Sequence, residues 1–91
     1  MKKPYLFIDL FAGIGGFHLA FHKLKKKYNN KCVFVSEIDE HARQTYEKNF
    51  SRIDKENFLI LKEKGFFVGD IVPFSSKNTN KIPSHDILCA G

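Results

Sequence analysis

Three carboxylates and one glycine turn are the residues of this chain whose types and spacing could do chemistry. Asp9 closes the apolar run Tyr5-Leu-Phe-Ile8, and Gly13, Gly15 and Gly16 follow within the next seven positions, just ahead of a helix-patterned segment. A strand, a glycine turn and a helix start make a small-ligand cradle. The glycines let the backbone turn sharply and approach a ligand without a Cβ in the way, and the N–H groups that open the helix face an anionic group. Glu37 ends the β-type run Val33-Phe-Val35 and lies 21 residues after Gly16. At that distance a strand-end carboxylate reaches a bound ribose in parallel sheets, and an ionised carboxylate can accept from both ribose hydroxyls. Asp70 follows Phe66-Phe-Val68 and Gly69 in the same manner. No metal site is expected, because Cys32 and Cys89 show neither a paired framework nor metal-ligand spacing and the four histidines do not cluster with them.

Positioning these groups falls to alternating strands and helices. Strand one is expected over about residues 5–9. The helix after it carries apolar Phe17, Ala20, Phe21, Leu24 and Tyr28 at helical spacing, a face expected to pack on the sheet. His18 and His22 are read as ordinary helix-surface or partly buried residues, and His85 beside a Pro-Ser turn as no catalyst. Asn29-Asn30 stops the helix, and strand two covers about 32–36. Asp39 caps a second helix with Ala42, Tyr46 and Phe50 inward. A third helix runs from Asp54 to Lys64 with Phe58 and Leu61 inward and Gly65 as its stop, followed by strand three at 66–69, a loop at 72–84 and strand four at about 86–90. This order predicts an α/β fold, partial and Rossmann-like, with about four mostly parallel strands and right-handed crossovers. Ligands bind such sheets at the carboxyl ends of the strands, where Asp9, the glycine turn, Glu37 and Asp70 all fall.

Glycine turns of this kind serve dinucleotides and S-adenosylmethionine alike. The dinucleotide pattern Gly-x-Gly-x-x-Gly would place its third glycine where His18 stands, and an acidic residue already occupies the strand end as Asp9. Taken whole, DLFAGIGGF resembles the first motif of the DNA cytosine-5 methyltransferases, Ser36-Glu-Ile-Asp39 and Gly69-Asp-Ile71 are similar to later motifs, and Ser84-His-Asp-Ile-Leu-Cys-Ala-Gly91 looks like the strand that delivers the family's catalytic loop. The resemblance implies an S-adenosylmethionine-dependent methyltransferase fold with strand order three-two-one-four. It implies a cofactor site built from Asp9, Phe11, Ala12, Gly13, Gly15, Gly16, Glu37, Ile38, Asp70 and Ile71. In it the glycine turn surrounds the methionine half, Glu37 takes the ribose, Asp70 accepts from the adenine amino group, Ile38 and Ile71 flank adenine, and Phe11 packs against the cofactor. Asp9 either caps the glycine turn through backbone N–H groups or stands near the positively charged methionine end.

In the family the last strand runs on through one residue into a Pro-Cys pair whose thiolate attacks cytosine C6 of a flipped base before methyl transfer to C5. Residues 1–91 are therefore expected to be the N-terminal, cofactor-binding part of the catalytic domain, without nucleophile or target-recognition region, and inactive alone. Cys89, within an apolar run, is expected to be a small buried hydrophobe rather than a substitute. The complete enzyme is expected to belong to a restriction-modification system, and the expected partners are DNA, through that complete enzyme, and the remainder of the methyltransferase in the same or a second chain. The alternative is a stand-alone module that binds S-adenosylmethionine or another adenosine ligand without chemistry.

Composition narrows the setting. A chain of 91 residues buries only about 60–65% of its unfolded surface. An edge strand at 86–90 and an apolar sheet face open to water would then favour self-association. The formal charge of +5 is concentrated in Lys23, Lys25, Lys26 and Lys27, where cations oppose the negative end of the first helix, so DNA contact here is expected to be auxiliary. With no signal-like or membrane-spanning run and no cysteine framework, a cytoplasmic location is expected.

Overall fold

The computed structural model describes residues 3–72 and 82–90. Among these residues, seven elements follow in the order β1 (Tyr5–Leu10), α1 (Gly16–Lys23), β2 (Asn30–Ser36), α2 (Glu40–Ile53), α3 (Lys55–Glu63), β3 (Phe67–Val68) and β4 (Ile87–Ala90). The four strands form one parallel sheet in the order β3-β2-β1-β4, as the resemblance implied. Most of the expected loop at 72–84 lies outside the described residues.

Side-chain alternation along the strands divides the sheet into two faces. Phe7, Cys32 and Val35 point to the helices and join Tyr46 and Phe50 of α2 and Phe58 and Leu61 of α3 in one core. A register shift between Phe7 and Ile8 lets both Cys32 and Val35 reach that face although they are three residues apart. The opposite face was expected to meet water, and only its margin does. Leu88 is exposed, whereas Ile8 and Phe34 at its centre are buried, with the Phe66 ring 6.1 Å from that of Phe34.

The second and third helices start and stop as their sequences predict. The Asp39 carboxylate accepts from the His41 N–H at 3.0 Å at the head of α2. Gly65, at φ 75°, ends the segment after α3. Strand three is shorter than expected because only Phe67 and Val68 pair with β2.

The first helix corrects the expected face. Phe21 packs inward, its ring 4.4 Å from that of Phe7, but Phe17, Ala20, Leu24 and Tyr28 lie on the exposed side. His18, expected at or near the surface, is instead 1% exposed and stacked on Phe50 at 4.0 Å. The cause is the second helix. Gly15 abuts Phe50 and Tyr46, so the face of α1 that begins one turn later, at His18 and Leu19, is turned toward them. Among the described residues, no helix is long and apolar enough to cross a membrane.

Candidate ligand-binding site

Register places the chemistry at one edge of the sheet. Leu10, Ser36 and Val68 are consecutive neighbours across β1, β2 and β3. The chain leaves the sheet at Phe11, Glu37 and Gly69, with Asp70 one residue further on. Three carboxyl ends thus open side by side, the place where open parallel sheets take their ligands.

Glu37 ties this edge together. One of its oxygens accepts from the Gly13 N–H and the other from the Asp39 N–H, both at 2.8 Å. The turn is fastened further by the Ala12 N–H, which donates to the Ser36 carbonyl at 3.0 Å. Each carboxylate oxygen has a second lone pair, so Glu37 can hold the turn and still accept from a ligand. Arg43 braces the same end from below, donating through Nη1 to the carbonyls of Glu37 at 2.8 Å and Ile38 at 3.2 Å. The Asp70 carboxylate accepts from the Val72 N–H at 2.9 Å and so forms its own turn.

The glycines divide by task. Gly15 sits at φ 98°, and a Cβ there would strike the Phe50 ring, so this glycine serves the packing of α1 on α2. Gly13 at φ 59° and Gly16 would carry a Cβ into open space with nothing within 4 Å. The backbone at these two positions is bare on the side a ligand would approach. Phe11 is the one described non-glycine residue at positive φ, 53°, and is 55% exposed. An aromatic side chain held in the left-handed region and left in water is not a core residue. Ile38 is likewise exposed at 69%, Ile71 is half-buried and Ala12 is buried.

Asp9 does not cap the glycine turn. It is fully buried, and its carboxyl meets the Tyr46 hydroxyl at 3.2 Å rather than the N–H groups of the turn. The reason is strand alternation, which points Asp9 with Phe7 toward the helices and leaves the turn to Glu37. Burial pushes its pKa up to about 7, against the Tyr46 hydrogen bond and with a smaller contribution from the charge of Glu37. Among the described residues its Oδ1 has no hydrogen-bonding partner.

A family model described as C-5 cytosine-specific DNA methylase matches residues 5–91. The chain belongs to this family. Among curated relatives of this chain, the Type II methyltransferase M.DsaV of Dactylococcopsis salina is 43% identical over 90 residues, 99% of this chain and 20% of that protein. M.HpaII of Haemophilus parainfluenzae is 39% identical over 92 residues, all of this chain and 20% of that protein, and M.BsuFI of Bacillus subtilis is 47% identical over 85 residues, 93% and 16%. The chain spans about a fifth of the length of the curated relatives it matches. No solved structure matches it.

Within the methylase sheet, sequence reasoning found the strand-end residues and missed the groups behind them. His18, Tyr46, Asp54 and Arg43 support the edge from the helix layer. Tyr46 was legible only as an inward apolar position of α2, and His18 falls outside the apolar stripe chosen for α1. The signal that could have found them is a shared one: buried Asp9 needs a polar partner, and a tyrosine hydroxyl on the facing helix is one of few candidates.

Among the described residues no group of His, Cys, Asp or Glu could hold a metal ion. Cys32 and Cys89 are free and buried, and burial pushes both thiols above their ordinary range. Such thiols are poor nucleophiles.

Proposed function

We propose that this chain is the cofactor-binding portion of a DNA cytosine-5 methyltransferase of a restriction-modification system, and that S-adenosylmethionine lies across the open edge at Phe11, Glu37 and Asp70. The observation that carries the reading is the side-by-side opening of the β1, β2 and β3 ends, with bare backbone at Gly13 and Gly16 next to a carboxylate that still has lone pairs to give. Glu37 receives the ribose hydroxyls, and Asp70 accepts from the adenine amino group. Phe11 and Ile38, exposed and apolar, with Ile71, cover the adenosine. Ala12, Gly13, Gly15 and Gly16 shape the turn around the methionine half, and Asp9 supplies a nearby carboxyl. When bound, the cofactor supplies an electrophilic methyl group, and the residues of this chain hold and orient it.

The raised thiols of Cys32 and Cys89 support the further reading that these residues supply no nucleophile and that the chain alone turns over nothing. Residues 1–91 then act with the remainder of a methyltransferase, in the same or a second chain, which engages DNA. Free thiols suit a reducing cytoplasm. The β4 edge, with Leu88 exposed, is a place for self-association.

Calorimetric titration with S-adenosylmethionine, with NAD as the control ligand, tests the site. Glu37→Ala removes hydrogen bonds to a charged acceptor, worth about 1.5–3 kcal/mol, so it should weaken binding about 10- to 100-fold. Glu37→Gln, which keeps an acceptor for the Gly13 N–H, should weaken it less. Equal binding of NAD, or affinity untouched by Glu37→Ala in a folded chain, would overturn the assignment.

A further inference from the structure

A line of polar side chains runs from the ligand edge into the core. The Tyr46 oxygen lies 3.2 Å from Asp9 Oδ2 and 2.5 Å from His18 Nδ1, and His18 Nε2 lies 2.9 Å from Asp54 Oδ2. Asp9, His18 and Tyr46 are each no more than 1% exposed. Their hydrogens can be counted. The hydrogen bond from His18 holds the Asp54 carboxyl down at about 2, so Asp54 only accepts and Nε2 of His18 carries a hydrogen. Nδ1 is then either bare and takes the single hydroxyl hydrogen of Tyr46, or it carries a proton of its own. In the first case Tyr46 has no hydrogen left for Asp9, and the bond between them must be donated by a protonated Asp9 carboxyl. In the second case Tyr46 donates to an ionised Asp9. Both arrangements satisfy every contact in the line, and both contain the same number of protons.

We propose that Asp9, Tyr46, His18 and Asp54 form a buried relay that holds one mobile proton, on the Asp9 carboxyl in the ligand-free chain and on His18 when a cationic ligand group lies at the strand ends. Transfer breaks the Asp9 O–H bond and forms one on Tyr46, while the original Tyr46 hydroxyl hydrogen moves to His18 Nδ1. Carboxylic acid and imidazole become carboxylate and imidazolium, and no proton enters from solvent. Tyr46 and His18 are positioning residues in this scheme, since they set the charge of Asp9 without touching the ligand.

The surroundings favour the neutral arrangement in the ligand-free chain. Asp9 faces Tyr46 of α2, Cys32 of β2, Cys89 of β4 and the Glu37 carboxylate, none of which offers it a positive charge. His18 faces Asp54 and Tyr46, with His22 on its own helix and Lys25 bound to Asp54 at 3.6 Å. Burial pushes Asp9 up and His18 down, so neither charges readily alone. A cation at the strand ends adds the missing attraction for an ionised Asp9. That half of the proposal rests on the proposed function.

Nitrogen spectra of the histidine rings and carbon spectra of the Asp9 carboxyl, recorded on this chain without ligand at about pH 6, test the relay. The expected result is a neutral His18 with its hydrogen on Nε2 and a protonated Asp9. Hydrogen on Nδ1 alone, or an Asp9 that ionises near the ordinary value of about 4, would overturn the relay. Addition of S-adenosylmethionine should convert His18 to imidazolium, and uncharged adenosine should not. Binding with His18 left neutral would refute the transfer. Failure of both ligands to bind would overturn the proposed function and the ligand-driven half with it, while the ligand-free spectra still decide the relay. In Tyr46→Phe the path is cut, so cofactor binding should release about one proton to the buffer, read as a binding heat that varies with buffer ionisation enthalpy. A heat as independent of buffer as that of the unsubstituted chain would count against the path.

Discussion

Gly15 and Gly16 are adjacent, yet alanine at each should do opposite things. At Gly15 the substitution forces an L residue to φ 98° and drives its Cβ into the Phe50 ring. The left-handed conformation costs about 1–2 kcal/mol and overpacking a filled core about 1–3 kcal/mol, so the sum is about 2–5 kcal/mol. A small domain holds only about 5–15 kcal/mol in total, so Gly15→Ala should remove much of its stability. At Gly16, the first residue of α1, a Cβ meets nothing within 4 Å, and alanine restricts the unfolded chain. Gly16→Ala should be stabilising by about 0.4–1 kcal/mol. Urea unfolding followed by circular dichroism reads the contrast directly. With a slope near ~1 kcal/mol per molar for so small a chain, the two midpoints should differ by about 2 M or more. Ligand affinity should reverse the order of harm: Gly16→Ala, folded and stable, fills space the cofactor needs and should bind S-adenosylmethionine at least about tenfold more weakly. Gly15→Ala as stable as Gly16→Ala would refute the assignment of Gly15 to packing, and unchanged affinity in Gly16→Ala would refute the bare backbone as a ligand surface.

Stability should depend on pH through two carboxyls of opposite sign. Asp9 is raised on folding from 3.8 to about 7, so its contribution is present below about pH 4 and is lost as pH rises through about 7, up to about 4 kcal/mol. Asp54 is lowered to about 2, so its contribution is present above about pH 4 and lost as pH falls toward 2. Denaturant titrations across pH should show the Asp9-linked decline between about pH 4 and 7, and Asp9→Asn should flatten it; a slope unchanged by that variant would sink the argument. Phe11→Gly relieves a left-handed backbone and removes a side chain 55% exposed, so thermal unfolding should show equal or greater stability while calorimetry shows weaker adenosine-ligand binding; a clear loss of stability would mark Phe11 as structural. Leu88→Lys places a charge on the exposed edge strand and should lower the apparent mass in concentration-dependent light scattering, whereas an unchanged mass would place any association elsewhere.

Local chemistry determined much of this protein in the sequence itself. Alternating apolar runs and helical stripes specified a parallel sheet, Asp39 announced the head of α2, Gly65 the end of α3, and Glu37 its strand end, because caps, turns and strand ends are decided by residues within a few positions of one another. The family motifs specified the strand order as well. What only the tertiary structure decided were matters of direction and distance. Which side of α1 faces inward was settled by Phe50, a residue 35 positions after Gly15, so the apolar stripe at Phe17, Leu24 and Tyr28 gave the wrong face. The pairing of Asp9 with Tyr46, and of Tyr46 with His18, joins residues 37 and 28 positions apart. Periodicity cannot express such pairs, because a buried carboxyl chooses its partner from whatever the packed helices bring within reach.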